Sequence, residues 1–175
     1  MPGSRPAVAR KPAARPRRVP GSALVSPAPA GTVPGRFPVA GPWSFGGPDA
    51  RFGAQRNGHL HQGQDVLAES GTPLLAPLSA NVLFTGDQPA GAGIYAVLHG
   101  RDGRDYVLMH IKHGTLGVAI GDGVREGERI AAVGATGDAT GPHLHFEIWI
   151  GGWGTRTGRP IDPLPQLQRW ARGAG

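Results

Sequence analysis

Two short stretches of this chain hold side chains that could bind a metal and move protons. The first is His61-Gln62-Gly63-Gln64-Asp65 and the second is His143-Leu144-His145-Phe146-Glu147. If the second is a β-strand, successive side chains alternate between faces, so His143, His145 and Glu147 share one face and Leu144, Phe146 and Ile148 the other. The two imidazoles then stand about 6.5–7 Å apart on a polar surface. One can bind a metal while its neighbour reaches a water or substrate atom beside it. The same pattern also fits an amphipathic strand that merely exposes two histidines. In the first stretch a helix would bring His61 and Asp65 onto one face, but Gly63 and the following Val66-Leu67 point to a loop running into a strand. That path can also converge His61 and Asp65, and with His145 it gives two imidazoles and one carboxylate. Three nitrogen or oxygen ligands with an open position are the pattern of a catalytic zinc site. Such a donor set suits Zn²⁺ better than Mg²⁺ or Ca²⁺, which prefer oxygen. With no cysteine in the chain, thiolate ligands, thiol nucleophiles and disulfides are excluded.

The elements that must position these residues read as short strands. With 30 glycines and 18 prolines in 175 residues, the composition favours a turn-rich β protein. Apolar runs at Asn81 to Thr85, Ile94 to Leu98, Tyr106 to Ile111, Arg129 to Val133 and Leu144 to Ile150 are bounded by glycine-containing turns. No window sustains a 3.6-residue apolar period, and the best helical segment is Pro165 to Arg172. The expected architecture is all-β, one domain over 37–167, preceded by a Pro/Ala/Arg-rich disordered tail over 1–36 and followed by a short helical or frayed end over 168–175. The net charge of +6 belongs to that tail. Residues 1–36 carry seven basic groups and no acidic one, whereas the remaining 139 residues hold 11 basic and 12 acidic groups. Nucleic-acid binding by the folded part is therefore not expected, although the tail could touch an anionic membrane or cell wall. No apolar run is long enough to span a bilayer or to follow the N-terminal arginines as a secretory signal.

Six motifs occur together and in order: His61-x-x-x-Asp65; Gly71-Thr72-Pro73 with Ala76-Pro77; Met109-His110-Ile111; Gly121 to Ile130; Val133 to Gly137; and Gly141 to Glu147. In this combination, from Phe37 to about Leu164, the chain resembles the M23 metallopeptidases of lysostaphin or LytM type. The resemblance implies an antiparallel β-sheet domain with a groove over one Zn²⁺. It implies His61, Asp65 and His145 as ligands, with His110 and His143 orienting or deprotonating a water and stabilising the oxyanion. It also implies an endopeptidase acting on bridge or stem peptides of bacterial peptidoglycan, outside the cell or at the wall, and the chain is expected to be a monomer. Glu147 would either hold an imidazole or face solvent. Many members carry an aromatic residue two before the second active-site His, where this chain has Leu108. Tyr106, two residues before Leu108, is expected on the same strand face as Leu108 and His110, and Tyr95 is the only other tyrosine. His59 and His113 match no ligand position, and substrate selectivity is expected in loops around Trp43 to Arg56 and Trp149 to Pro160. Two other classes deserve comparison. A ligand-depleted M23-like domain would act as a regulator binding wall hydrolases or peptidoglycan, but here all five positions are filled. The Gly121 to Val133 segment resembles the turns of biotinyl and lipoyl carriers, yet the sole lysine past the tail, Lys112, is in no such context.

Overall fold

The computed structural model describes residues 33–173 apart from residue 57. The basic segment before residue 33, with its expected role at an anionic surface, lies outside them. Nine strands and one helix follow in chain order: β1 (Gln64–Leu67), β2 (Pro73–Leu75), β3 (Ala80–Gln88), β4 (Gly93–Gly100), β5 (Asp105–Ile111), β6 (Gly123–Val124), β7 (Arg129–Ala132), β8 (His143–Ile150), β9 (Arg159–Ile161) and α1 (Leu164–Arg172). The main sheet is antiparallel, in the order β1-β8-β5-β4-β3-β6, and β9 adds to the end of β8 that β1 leaves free. A small second sheet pairs β2 with β7. The all-β expectation holds, and the five apolar runs each correspond to a strand.

The two faces of the main sheet do different work. One face packs against β2, β7 and α1 and forms the principal core. Val66, Leu98, Tyr106, Leu108, Leu144, Phe146 and Ile148 are fully buried there with Leu74 and Leu167. Burial of side chains this size is worth about 1.5–3 kcal/mol each before entropy is counted. The helix seats Trp170, 2% exposed, against Tyr106 and Phe146 at ring-centroid distances of 6.0 and 6.2 Å. Gln166 and Trp170 in turn bond the backbone of Val33. Residues 33–36 and 168–172 therefore belong to the packed unit, not to a tail and a frayed end. Their tertiary contacts carry the ordering that local propensity would not.

The opposite face carries a smaller cluster of Tyr95, Val97 and Val107, with Met109, Phe84, Trp149 and Trp153 packed against it. Trp153 sits on a loop over 151–158, so only that part of the expected Trp149 to Pro160 loop is loop. Trp149 lies in β8, and Arg159 and Pro160 lie in β9. Asp105, buried in β5, fixes this loop by accepting from the backbone N–H of Trp153 at 2.7 Å and bonds the His99 imidazole at 2.6 Å. Burial disfavours the charged form of His99, but the Asp105 carboxylate more than offsets this and raises its pKa.

A cluster of four imidazoles and a carboxylate

β1 and β8 are adjacent and in a register that makes Asp65 the ladder partner of His145, and Leu67 that of His143. Ladder partners point to the same side, so Asp65, His143, His145 and Glu147 rise together from the face opposite the core. The burial of Leu144, Phe146 and Ile148 on the other side fixes this assignment. His61 arrives from the loop before β1. Gly63 permits that approach by its lack of a side chain. A Cβ there would lie 2.5 Å from the carbonyl oxygen of Phe146 and 2.7 Å from Nε2 of His145.

Three atoms meet at nearly equal distances. Nε2 of His61, Nδ1 of His145 and Oδ1 of Asp65 are each 3.0 Å from the other two. The far nitrogens decide what these atoms can offer. His61 Nδ1 faces the carbonyl oxygen of Arg51 at 2.7 Å, which can only accept, so the proton sits there and Nε2 is bare. His145 Nε2 donates to Oε1 of Glu147 at 3.0 Å. In neutral His145, Nδ1 is therefore also bare. Two nitrogen lone pairs and a carboxylate oxygen then converge with no hydrogen among them, an arrangement that repels itself unless a cation lies between. Tetrahedral zinc with bonds of about 2.0–2.2 Å wants donors roughly 3.3 Å apart, close to what is observed. The alternative is a proton. Burial pushes His145 down, but the hydrogen bonds it donates to the Asp65 and Glu147 carboxylates push it up to about 9. Burial likewise raises the Asp65 carboxyl, and the imidazoles of His145 and His61 outweigh that and hold it well below the usual carboxylate range. A single proton on His145 Nδ1 still leaves His61 Nε2 facing Asp65 Oδ1 lone pair to lone pair. The donor set thus fits a divalent cation better than it fits a proton.

His110 and His143 flank this triangle. Their rings are 4.6 Å apart, and His143 Nε2 is 3.6 Å from Asp65 Oδ1. Each donates its Nδ1–H to a backbone carbonyl, His110 to Thr136 and His143 to Gly141, both at 2.8 Å. Each therefore presents a bare Nε2. Burial, reinforced by the neighbouring His143, lowers the His110 pKa to about 4 and keeps the ring neutral.

The route by which His110 reaches the cluster corrects the sequence expectation. Strict alternation places it on the face of Tyr106 and Leu108, which is the core. Instead β5 bulges. Ala96 pairs with Leu108 and Ile94 with Ile111, so Met109 and His110 together oppose Tyr95. His110 adopts φ 61°, the only positive φ of a non-glycine among the described residues. Such a conformation costs on the order of 1 kcal/mol or more and concentrates at functional sites. Tyr106 and Leu108 remain fully buried, and Tyr106 donates its hydroxyl to Asp102. Neither touches the cluster, so Tyr106 cannot stand in for an aromatic beside His110. The residue at 108 bears on packing.

Glu147 is 3% exposed and does not face solvent. One oxygen holds His145, and the other accepts from Trp149 Nε1 at 2.6 Å. Arg56, not anticipated from the sequence, bonds Asp65 Oδ2 at 2.7 Å. His59 and His113 are exposed.

Comparison with known proteins agrees with this geometry. A model of "Peptidase family M23" matches residues 59–163, more than half of the chain. Over 106 residues the chain is 42% identical to an "Uncharacterized metalloprotease" of Haemophilus influenzae, covering 59% of this chain and 20% of that one. It aligns with the catalytic domain of the antimicrobial peptidase lysostaphin from Staphylococcus simulans at 32% identity and a TM-score of 0.61, covering 67% of this chain and 89% of that domain. It aligns with a zinc-containing peptidase from Vibrio cholerae at 28% identity and a TM-score of 0.58, covering 73% and 38%. The chain spans about a fifth of the length of the first curated relatives it matches. With the six motifs in one β domain that aligns with the lysostaphin catalytic domain, and the family model matching residues 59–163, this chain belongs to peptidase family M23.

Proposed function

We propose that this chain is a zinc metalloendopeptidase that hydrolyses peptide bonds in bacterial peptidoglycan. The observation that carries this reading is the convergence of three bare donor atoms at 3.0 Å beside two further bare imidazole nitrogens. His61, Asp65 and His145 hold the metal. When bound, Zn²⁺ supplies Lewis acidity toward the scissile carbonyl and lowers the pKa of water toward neutrality. The rest is done by the chain. His143, with its Nε2 3.6 Å from Asp65 Oδ1, accepts a proton from the attacking water as the water oxygen bonds to the carbonyl carbon. The resulting imidazolium stabilises the oxyanion and then returns the proton to the leaving amine as the C–N bond breaks. His110, kept neutral by its environment, orients the water by accepting its other hydrogen. The carbonyls of Thr136 and Gly141 fix both tautomers.

The peptidoglycan part rests on the company this chain keeps. The aligned lysostaphin is described as an antimicrobial peptidase, and the Vibrio cholerae relative as zinc-containing. Such a substrate places the enzyme in the cell envelope. Among the described residues no helix is long and apolar enough to cross a membrane.

The test is metal analysis together with a cell-wall lysis assay. Purified protein is expected to hold one zinc per chain, to clear a suspension of purified peptidoglycan, to lose that activity to a chelator and to regain it with zinc. His143→Ala should keep the zinc and lose about 10²–10⁴-fold in rate, the usual contribution of a positioned acid–base group. Zinc retained with no hydrolysis of any peptidoglycan would instead favour a wall-binding or regulatory module.

Glu147 gives a separable prediction. Glutamine at 147 keeps the shape but removes the charge that orients His145. A group in this position typically contributes 10–100-fold to metal affinity or activity. Competition with a chromophoric chelator is expected to show zinc affinity falling by that order in Glu147→Gln. Unchanged affinity would reduce Glu147 to a packing role.

A further inference from the structure

The two oxygens of Asp65 have separate partners. Oδ1 faces His61 Nε2 and His145 Nδ1 at 3.0 Å and His143 Nε2 at 3.6 Å. Oδ2 faces away from them and meets Nη2 of Arg56 at 2.7 Å. That distance lies at the lower end of the range of charge-assisted bonds between nitrogen and oxygen. Arg56 is not a loose surface side chain that happens to reach the site. Its backbone N–H donates to the carbonyl of His59 at 2.9 Å, Gln55 bridges to Leu60, and the His61 N–H donates to Ala54 at 2.9 Å. The paired segments 54–56 and 59–61 thus carry the arginine on one and the ligand His61 at the end of the other. Its position is set by the same backbone that sets the ligand.

The geometry points to Arg56 as a positioning residue that keeps Asp65 a one-oxygen ligand. This inference rests on the metal reading above. A carboxylate with both oxygens free can offer either one or both to a cation. If Oδ2 turned inward, Asp65 would fill the position that a catalytic site leaves for water and substrate. The guanidinium opposes that rotation by holding Oδ2 in a directional charge-assisted bond. It also offsets the single negative charge of the ligand set, which preserves the electron-withdrawing power of the metal. Arg56 acts through Asp65 and need not touch the substrate.

Cobalt(II) in place of zinc reports coordination directly, because four-coordinate cobalt absorbs visible light several-fold more strongly than six-coordinate cobalt. The proteins to compare are the wild type, Arg56→Ala and Arg56→Lys, each loaded with one equivalent of cobalt. In Arg56→Ala the visible bands are expected to weaken at least twofold with the cobalt still bound. The kcat of the zinc form should fall on the order of 10–100-fold with less change in KM. Arg56→Lys, whose ammonium can still reach Oδ2, should recover most of the band intensity and rate. Because Arg56 also pairs with buried Asp65, metal-free Arg56→Ala is expected to unfold at somewhat lower denaturant concentration, and the spectra and rates are compared well below the onset of unfolding. An Arg56→Ala protein with the wild-type cobalt spectrum and wild-type kcat would overturn this inference alone. A wild-type protein that binds no cobalt and no zinc would overturn the metal reading and this inference with it.

Discussion

His145→Ala is expected to abolish zinc binding at stoichiometric concentrations and to lower peptidoglycan hydrolysis by three orders of magnitude or more. His145 supplies one of three donor atoms, and two protein ligands do not make a catalytic zinc site. What is lost with the metal is both the polarised carbonyl and the acidified water. A thousandfold corresponds to roughly 4 kcal/mol of barrier, a modest share of what a metal contributes. The substitution has a second effect that separates it from the loss of a surface histidine. Glu147, 3% exposed, loses the partner of Oε1 and keeps only Trp149. A buried carboxylate without that partner is destabilising, so the variant should also unfold at lower denaturant concentration than the metal-free wild type. His113→Ala provides the control. His113 is exposed and outside the cluster, so zinc content, rate and midpoint should all stay at wild-type values. Zinc measured by emission spectrometry after dialysis, with the lysis rate on the same samples, decides the matter. A His145→Ala protein that keeps its zinc and its rate would show that the three converging atoms are not the metal site.

The second large effect lies one residue further along and on the other side of the sheet. Phe146→Ala is expected to cost about 3–5 kcal/mol of stability, the range for truncating a fully buried phenylalanine. Phe146 is 0% exposed and lies between Tyr106, with ring centroids 6.1 Å apart, and Trp170, at 6.2 Å. Neither neighbour can collapse into the space freely. Tyr106 is tied to Asp102 through its hydroxyl, and Trp170 is tied to the Val33 carbonyl through its indole N–H. Domains are stable by only about 5–15 kcal/mol in total, so a loss of this size is close to unfolding. Urea denaturation of chelator-treated protein measures it without the contribution of bound zinc. Phe146→Leu should recover most of the loss. A cost under about 1 kcal/mol for the alanine variant would mean that this face is not the core.

Local alternation was enough to read β8 correctly, because a strand with one buried face has no freedom to do otherwise. The same reasoning carried His61 and Asp65, where a glycine and two apolar residues marked a loop entering a strand. It failed at His110. A bulge is a mismatch in count between two strands, and nothing within Tyr106 to Ile111 reveals that Met109 and His110 oppose a single residue of β4. The role of Glu147 was half legible. Its face followed from alternation, but its burial goes with the His145 and Trp149 side chains that hold its two oxygens, which alternation does not reveal. Arg56 left no trace, since an arginine nine residues before an aspartate in an irregular segment has no periodicity to betray it. The ends of the unit were set too narrowly for a related reason. Val33 and Trp170 are joined by contacts across more than a hundred residues.

Asp65 and His145 are ladder partners on adjacent strands. Slipping β8 by one residue along that ladder would turn His143, His145 and Glu147 into the core and bring Leu144, Phe146 and Ile148 out into water. No partly satisfied version of the site exists along that path. The pairing that brings Asp65 beside His145 is the pairing that buries Val66, Leu144 and Phe146, so the two form as one cooperative unit. Subglobal opening that leaves the fold standing cannot spare the ligands, and amide protons of β1 and β8 should exchange together, at the pace of the whole domain. Asp65 and His145 are then either brought together in the folded domain or separated with its unfolding.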